Sequence, residues 1–156
     1  MTEDARYEDG RERPLNLGAL DAEDLQVLSS LVQDGVFPAS EMRFDRKQRR
    51  FAILLNRVRW EDGGKTRHAP ERVQSLLVFD AVRAVASQGV PKGDADTILS
   101  LLGLSFEETD APSGHIILTL AGDGALRLDV EAIDATLRDV TKPYAAPSGK
   151  LPDHGA

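Results

Sequence analysis

The chain has 156 residues, a length that suits one domain with a single hydrophobic core. It contains no cysteine, which excludes disulfide bonds, thiolate nucleophiles and cysteine-ligated metal centres. The formal net charge of -7 opposes a general electrostatic attraction to nucleic acid or to an anionic membrane surface.

The two ends of the chain differ in composition from its middle. Residues 1–13 are rich in charge and residues 142–156 are rich in proline and glycine, so both segments are predicted to be flexible. The first segment has no apolar core of the signal-peptide kind, and no apolar run in the chain reaches membrane-spanning length. The sequence therefore predicts one folded domain over 14–141 in a cytoplasmic protein.

The first predicted element is an amphipathic helix that begins after Asp21. This residue is a suitable N-cap because its carboxylate can accept a hydrogen bond from the free backbone N–H groups of the first turn. The helix is predicted to end near Gly35. Its apolar side chains are spaced so that they lie on one helical face: Leu25, Leu28, Leu31 and Val32.

A hairpin is predicted next, with strands at 42–45 and 50–60 and a charged turn at 46–49. Alternation places five residues on one face of the second strand: Phe51, Ile53, Leu55, Arg57 and Arg59. Gly63 and Gly64 are predicted to form a turn before one long apolar run over 72–85.

The rest of the domain is predicted to contain further strands and a second helix. The elements are a helical turn at 96–100, strands at 101–108, 115–121 and 125–130, a hairpin turn at 122–124, and a helix at 131–140. The second helix is predicted from Ile133 and Leu137, which are one helical turn apart. This order predicts an α+β fold, in which an antiparallel, strongly bent sheet or incomplete barrel carries an N-terminal helix and a closing C-terminal helix, as in pleckstrin-homology-like domains.

Motifs of known chemistry are incomplete in this chain. Gly63-Gly64-Lys65-Thr66 resembles the end of a phosphate-binding loop, but the first glycine of that motif would have to stand at Arg59. No serine lies in a nucleophile elbow, and the chain has no dinucleotide-binding fingerprint. No metal-ligand spacing connects the three histidines, His68, His115 and His154. The sequence therefore predicts no cofactor and no metal, and it favours a non-enzymatic protein without settling the point.

Basic residues are concentrated in one stretch of the chain. Nine basic and three acidic side chains between residues 43 and 67 give a local charge of +6, so the remaining residues carry -13. Arginine suits carboxylate and phosphate groups because its planar fork makes two parallel hydrogen bonds. The predicted hairpin brings most of these cations to one surface, which is the candidate binding site: Arg43, Arg46, Lys47, Arg49, Arg50, Arg57 and Arg59.

Several functions of this chain stay open. The favoured one is a binding or protein-interaction module in which the basic surface contacts an acidic protein partner. The same charges could instead keep an edge hairpin soluble. The alternative function is a small enzyme or ligand-binding protein with a pocket under the curved sheet, which would use His115 or Glu107 and Glu108. Nucleic-acid binding ranks last because of the net charge, and exposed edge strands leave a homodimer open.

Four segments of the chain together resemble a small family of uncharacterised alphaproteobacterial proteins, known as a domain of unknown function. The resemblance covers nearly all of 14–141. It implies a bacterial cytosolic protein, and it assigns no activity and no functional residue. The segments are ALDAEDLQVLSSLVQDGV, RRFAILLNRVRW, LLVFDAVRAVASQGV and GDGALRLDVEAIDATLRDV.

Overall fold

The computed structural model describes residues 14–58, 71–90 and 95–141, and the backbone of 144–145. No helix in these residues has the length and apolar character that a membrane crossing requires. A short 3-10 turn, Ala39–Glu41, connects the second strand to the third. The elements are β1 (Asn16–Ala19), α1 (Ala22–Val32), β2 (Gly35–Pro38), β3 (Met42–Asp45), β4 (Arg50–Val58), β5 (Glu71–Phe79), β6 (Val82–Gln88), β7 (Ile98–Glu108), β8 (Gly114–Leu120), β9 (Gly124–Val130), β10 (Ala135–Asp139) and β11 (Tyr144–Ala145).

The strands form one open antiparallel sheet. Its order is β1-β10-β5-β4-β2-β7-β8-β9-β6, and β3 and β11 branch from β4 and β5. Strand β2 joins the two halves, because Val36 pairs with Asn56 of β4 on one side while all of β2 pairs with β7 on the other. The predicted antiparallel sheet and the N-terminal helix are therefore confirmed.

The hydrophobic core lies between the inner face of this sheet and α1. Strand alternation decides which side chains enter it: along β9, Leu126, Leu128 and Val130 are buried, while Arg127 is exposed. The helix buries Leu25, Leu28 and Val32 and packs on β7, β1 and β4. The sheet supplies most of the core, and the helix covers it from one side.

Helix α1 also replaces a missing strand beside β7. Strand β2 pairs with β7 only as far as Leu101, so the backbone edge of β7 is free beyond this residue. There the backbone N–H of Leu104 donates to Ser29 Oγ at 2.8 Å, and the carbonyl oxygen of Leu104 accepts from Gln26 Nε2 at 3.4 Å. Two helical side chains thereby satisfy edge groups that would otherwise need a neighbouring strand.

The start of α1 follows the sequence prediction. Asp21 has an extended backbone, and its Oδ1 accepts a hydrogen bond from the backbone N–H of Asp24 at 2.8 Å. Glu23 and Asp24 place further negative charge in the first turn, where it interacts favourably with the helix dipole.

We expect Asp21→Ala to lower the free energy of unfolding by about 1 kcal/mol, because the N-cap hydrogen bond is lost. Chemical denaturation of the two proteins measures the difference. Asp21→Asn is the control, since an amide oxygen caps almost as well as a carboxylate. An unchanged transition midpoint for Asp21→Ala would contradict this role of Asp21.

The predicted closing helix over 131–140 is wrong, because this segment contains β10. Ile133 and Leu137 are four residues apart, a spacing that places two side chains on one face of a helix. Because strand side chains alternate between two faces, an even spacing also places them on one face of a strand. Ala135, Leu137 and Asp139 all point inward from β10, which pairs with β1 and β5 on its two sides. Because 131–140 contains a strand in place of the predicted helix, the expected pleckstrin-homology-like arrangement is not supported.

The predicted long run over 72–85 is two strands rather than one. The extended conformation is interrupted at Asp80 and Ala81, where Ala81 has a positive φ of 59°. Strand β5 remains in one half of the sheet, and β6 continues in the other half as the neighbour of β9. The backbone N–H of Asp80 donates to the carbonyl oxygen of Asp134, and that of Glu131 donates to Ala81, so two connections between the halves are bonded to each other.

The predicted helical turn at 96–100 is also wrong, because β7 already begins at Ile98 and pairs with β2. The predicted hairpin turn at 122–124 is confirmed by positive φ values at Gly122 and Asp123. The predictions for 1–13, for most of 142–156 and for the glycine turn at 63–64 lie outside the described residues.

Candidate functional site: a basic hairpin beside an apolar sheet face

Strands β3 and β4 form the predicted hairpin, with its turn at 46–49. Asp45 Oδ1 accepts a hydrogen bond from the backbone N–H of Gln48 at 3.1 Å, and Arg49 takes a left-handed φ of 55°. Phe44 pairs with Phe51 and lies toward the core, so the alternate residues of β3 point to solvent. We refer to residues 43–50 as the basic hairpin.

Three cations of the basic hairpin form no ion pair with any residue that the structure describes. Arg43 on β3 and Arg46 and Lys47 in the turn are exposed. The guanidinium carbon of Arg46 lies 5.5 Å from the ring centroid of Phe44. This distance allows a cation–π contact, and the Arg46 side chain forms no hydrogen bond with a described residue. The turn therefore presents positive charge whose hydrogen-bonding groups are available to a ligand.

Two other cations hold the hairpin in place. Arg49 forms an ion pair with Glu131, and Arg50 Nε lies 2.8 Å from Asp80 Oδ1. The hydrogen bond and the charge of Asp80 raise the pKa of Arg50 above its ordinary value. The carbonyl oxygen of Arg49 also accepts from the backbone N–H of Val82 at 2.9 Å. The hairpin is thereby bonded to both connections between the halves of the sheet.

Arg57, which the sequence analysis assigned to the same surface, is fully buried. It continues the inward row of Phe51, Ile53 and Leu55 on β4, and strand alternation decides its direction. The prediction that Arg57 belongs to an exposed binding surface is therefore wrong. Arg59 lies outside the described residues.

The Arg57 side chain is held by a buried polar cluster that links three neighbouring strands. Arg57 Nη2 donates to Asp139 Oδ1 at 2.9 Å and Arg57 Nε donates to Ser75 Oγ at 2.9 Å, while Ser75 Oγ donates to Asp139 Oδ1 at 2.6 Å. The second carboxylate oxygen of Asp139 accepts from the backbone N–H of Leu15 at 2.9 Å. Because a buried charge is tolerated only with such partners, loss of any one member of this cluster is expected to destabilise the fold.

The outer face of β4 and β5, which points away from the core, is apolar at its centre. Four half-buried side chains form what we call the apolar face: Ala52, Leu54, Leu76 and Val78. Arg43 pairs with Ala52 from one side, and Arg138 of β10 pairs with Leu76 from the other. An apolar centre with arginine at its margin is a composition common in protein interfaces.

Two residues of the alternative, enzymatic interpretation, His115 and Glu107, lie on the outer face of the other half of the sheet. His115 pairs with Glu107 of β7 and with Asp129 of β9, so two carboxylates flank its imidazole in the register. Glu107 and Glu108 are exposed, and Asp129 accepts from Arg83 Nη2 at 3.0 Å. Among the described residues, no group of histidine and acidic side chains could hold a metal ion. His115 and Glu107 do not face the space under the sheet, as that interpretation requires, and Glu108 is exposed at the end of β7.

Sequence reasoning missed the partners of Arg57 and half of the apolar face. Asp139 was assigned to a helix, and Ser75 was not singled out. The available signal was the alternation of β4, which had already placed Arg57 in line with three core residues. Leu76 and Val78 were recognised as strand residues, but only the register of β4 with β5 brings them beside Leu54.

In its described residues, the protein is built mostly of antiparallel strands, with one helix and an exposed basic hairpin. A family model for proteins of unknown function (DUF2948) matches residues 15–154, and the chain belongs to this family. The resemblance to a family without an assigned activity is thus confirmed. The chain has no significant similarity to a curated protein or to a solved structure.

Proposed function

We propose that the protein is a non-catalytic interaction module whose basic hairpin, together with the apolar face, binds an acidic partner protein. The observation that carries this proposal is a set of exposed cations, Arg43, Arg46 and Lys47, which form no ion pair with a described residue of this chain of net charge -7. A positive surface on an acidic protein steers acidic partners to that surface.

The anchoring of the hairpin favours this function over a purely protective edge. A solubilising edge needs charge but no fixed geometry. Here the turn is fixed by Asp45, and the ion pairs of Arg49 and Arg50 connect it to the rest of the sheet. Such a surface loses little conformational entropy when it binds. The apolar face beside it adds area that a partner can cover, which a solubilising role does not require.

The test compares immobilised wild-type protein with Arg46→Glu/Lys47→Glu and with the control Arg127→Glu, all exposed to cytosolic extract. Arg127 is an exposed arginine on β9, in the other half of the sheet. We expect the hairpin variant to retain at least about tenfold less of a protein that wild type and the control bind equally, a loss of roughly 1.4 kcal/mol. Retention by wild type should fall as salt is raised, because exposed charges are screened.

Equal retention of every bound protein by the three forms would contradict the proposal, and so would the absence of any protein retained by wild type at low salt. Retention of nucleic acid that nuclease treatment removes would also overturn it. Circular dichroism checks that the variants fold, which we expect because Arg46 and Lys47 are exposed turn residues.

A further inference from the structure

Strand β6 is one end of the described sheet, and one of its two edges has no neighbour among the described strands. It pairs with β9 along the other edge, and among the described residues no strand pairs with it a second time. Strand β6 has seven residues, whereas β1 at the opposite end has four. Five of the seven are exposed: Arg83, Ala84, Ala86, Ser87 and Gln88.

Only the beginning of β6 carries the features that protect an edge. Val82 donates its backbone N–H to Arg49, a register shift follows between Val82 and Ala84, and Arg83 is paired with Asp129. From Ala84 to Gln88 the strand has no charged residue and no proline, and its pairing with β9 is regular. Edge strands of this kind are templates for the addition of another strand.

We propose that this edge pairs with β6 of a second copy, so that two sheets join in a two-fold symmetric dimer. Antiparallel pairing about Ala86 sets Ala84 opposite Gln88 of the partner subunit and Val85 opposite Ser87 of the partner subunit. Arg83 then stands opposite Gly89 of the partner subunit, so no like charges meet. With a two-fold axis at Ala86, the two copies contact each other through the same surface, as in closed homodimers.

Charge and side-chain size favour a second copy as the occupant. Two chains of net charge -7 repel each other, so a surface of self-association has to be free of excess negative charge. The edge from Ala84 to Gln88 is neutral, and the nearby Asp129 is neutralised by Arg83. Ala84 and Ala86 are small, which permits close approach of an identical strand and gives little by which to select the side chains of a foreign peptide.

A pair of five-residue edges is smaller than a standard interface of about 1,600 Å², so we expect a weak, reversible dimer. Sedimentation velocity of the full chain, from about 5 to 500 μM, measures it. Wild type is expected to change from monomer to dimer across this range. Ala86→Glu and Ala86→Lys should each remain monomeric, because like charges then meet at the axis, and their equimolar mixture should dimerise again.

Thr119→Glu is the matched control. Thr119 is exposed on β8, away from the edge, so the same added charge should leave the dimer intact. The inference would be overturned by a wild-type protein that stays monomeric at about 500 μM, the upper end of this range. It would also be overturned by a dimer that persists in both Ala86 variants, a mixture that does not reassociate, or a dimer that Arg46→Glu dissociates. None of these outcomes depends on the acidic partner, so this inference and the proposed function fail separately.

Discussion

Asp139→Ala is expected to lower the free energy of unfolding by about 3–5 kcal/mol, the largest effect of any single substitution that we consider. The side chains of Arg57 and Asp139 are 0% and 2% exposed, so removal of the carboxylate takes one member of a buried ion pair away from the guanidinium. The same change removes the acceptor of Ser75 Oγ and of the backbone N–H of Leu15. Equilibrium denaturation by urea measures the loss.

The double variant Arg57→Met/Asp139→Leu separates the effect of the buried charge on stability from the effect of side-chain packing. Because it removes both charged side chains of this buried pair, we expect it to be more stable than Asp139→Ala. Asp134→Ala, which removes an exposed carboxylate from the connection before β10, is the control and should change stability by less than about 0.5 kcal/mol. If Asp139→Ala is as stable as Asp134→Ala, the buried cluster does not stabilise the fold.

Gly114→Ala is expected to lower the free energy of unfolding by about 2–3 kcal/mol. A Cβ atom added at this buried position in β8 would lie 2.5 Å from the carbonyl oxygen of Glu107 and 2.5 Å from Cζ of Phe106. The Phe106 ring can rotate away, but the carbonyl oxygen belongs to the strand that pairs with β8. The backbone of β7 or β8 therefore has to move, and thermal unfolding measures the consequence.

Gly18→Ala is the matched control for this prediction, because it makes the same change in another strand. An added Cβ atom there would lie 3.7 Å from its nearest neighbour, the carbonyl oxygen of Ala135, which is an ordinary contact. Gly18→Ala should therefore leave the melting temperature nearly unchanged. Equal melting temperatures for the two variants would show that β7 and β8 adjust without cost.

The parts of the fold that follow from local pattern could be predicted from the sequence. Asp21 and the apolar spacing after it specify α1, and the charged turn at 46–49 specifies the hairpin. The break at Asp80 and Ala81 could not be predicted, because neither residue is a glycine or a proline and the positive φ of Ala81 depends on bonds to distant segments. The strand nature of 135–139 likewise depends on two neighbours that are far away in the sequence.

In the candidate site too, the residues set by local pattern could be predicted and those set by distant contacts could not. Local composition correctly placed Arg43, Arg46 and Lys47 on an exposed hairpin. The prediction for Arg57 was wrong because it gave more weight to the charge of arginine than to the strand alternation, which places this side chain on the inner face. Its partner Asp139 is 82 residues away in the chain, so the pair becomes visible only when β4, β5 and β10 are in register.

Hydrogen–deuterium exchange of the protein, alone and with the partner that wild type retains, tests the central claim most directly. We expect slower exchange on binding in residues 43–50 and in β4 and β5, because the partner covers the basic hairpin and the apolar face. Exchange in α1 and in β8 should stay unchanged. Slower exchange confined to β6 or α1, with no change in residues 43–50, would contradict the assignment of the basic hairpin as the binding surface.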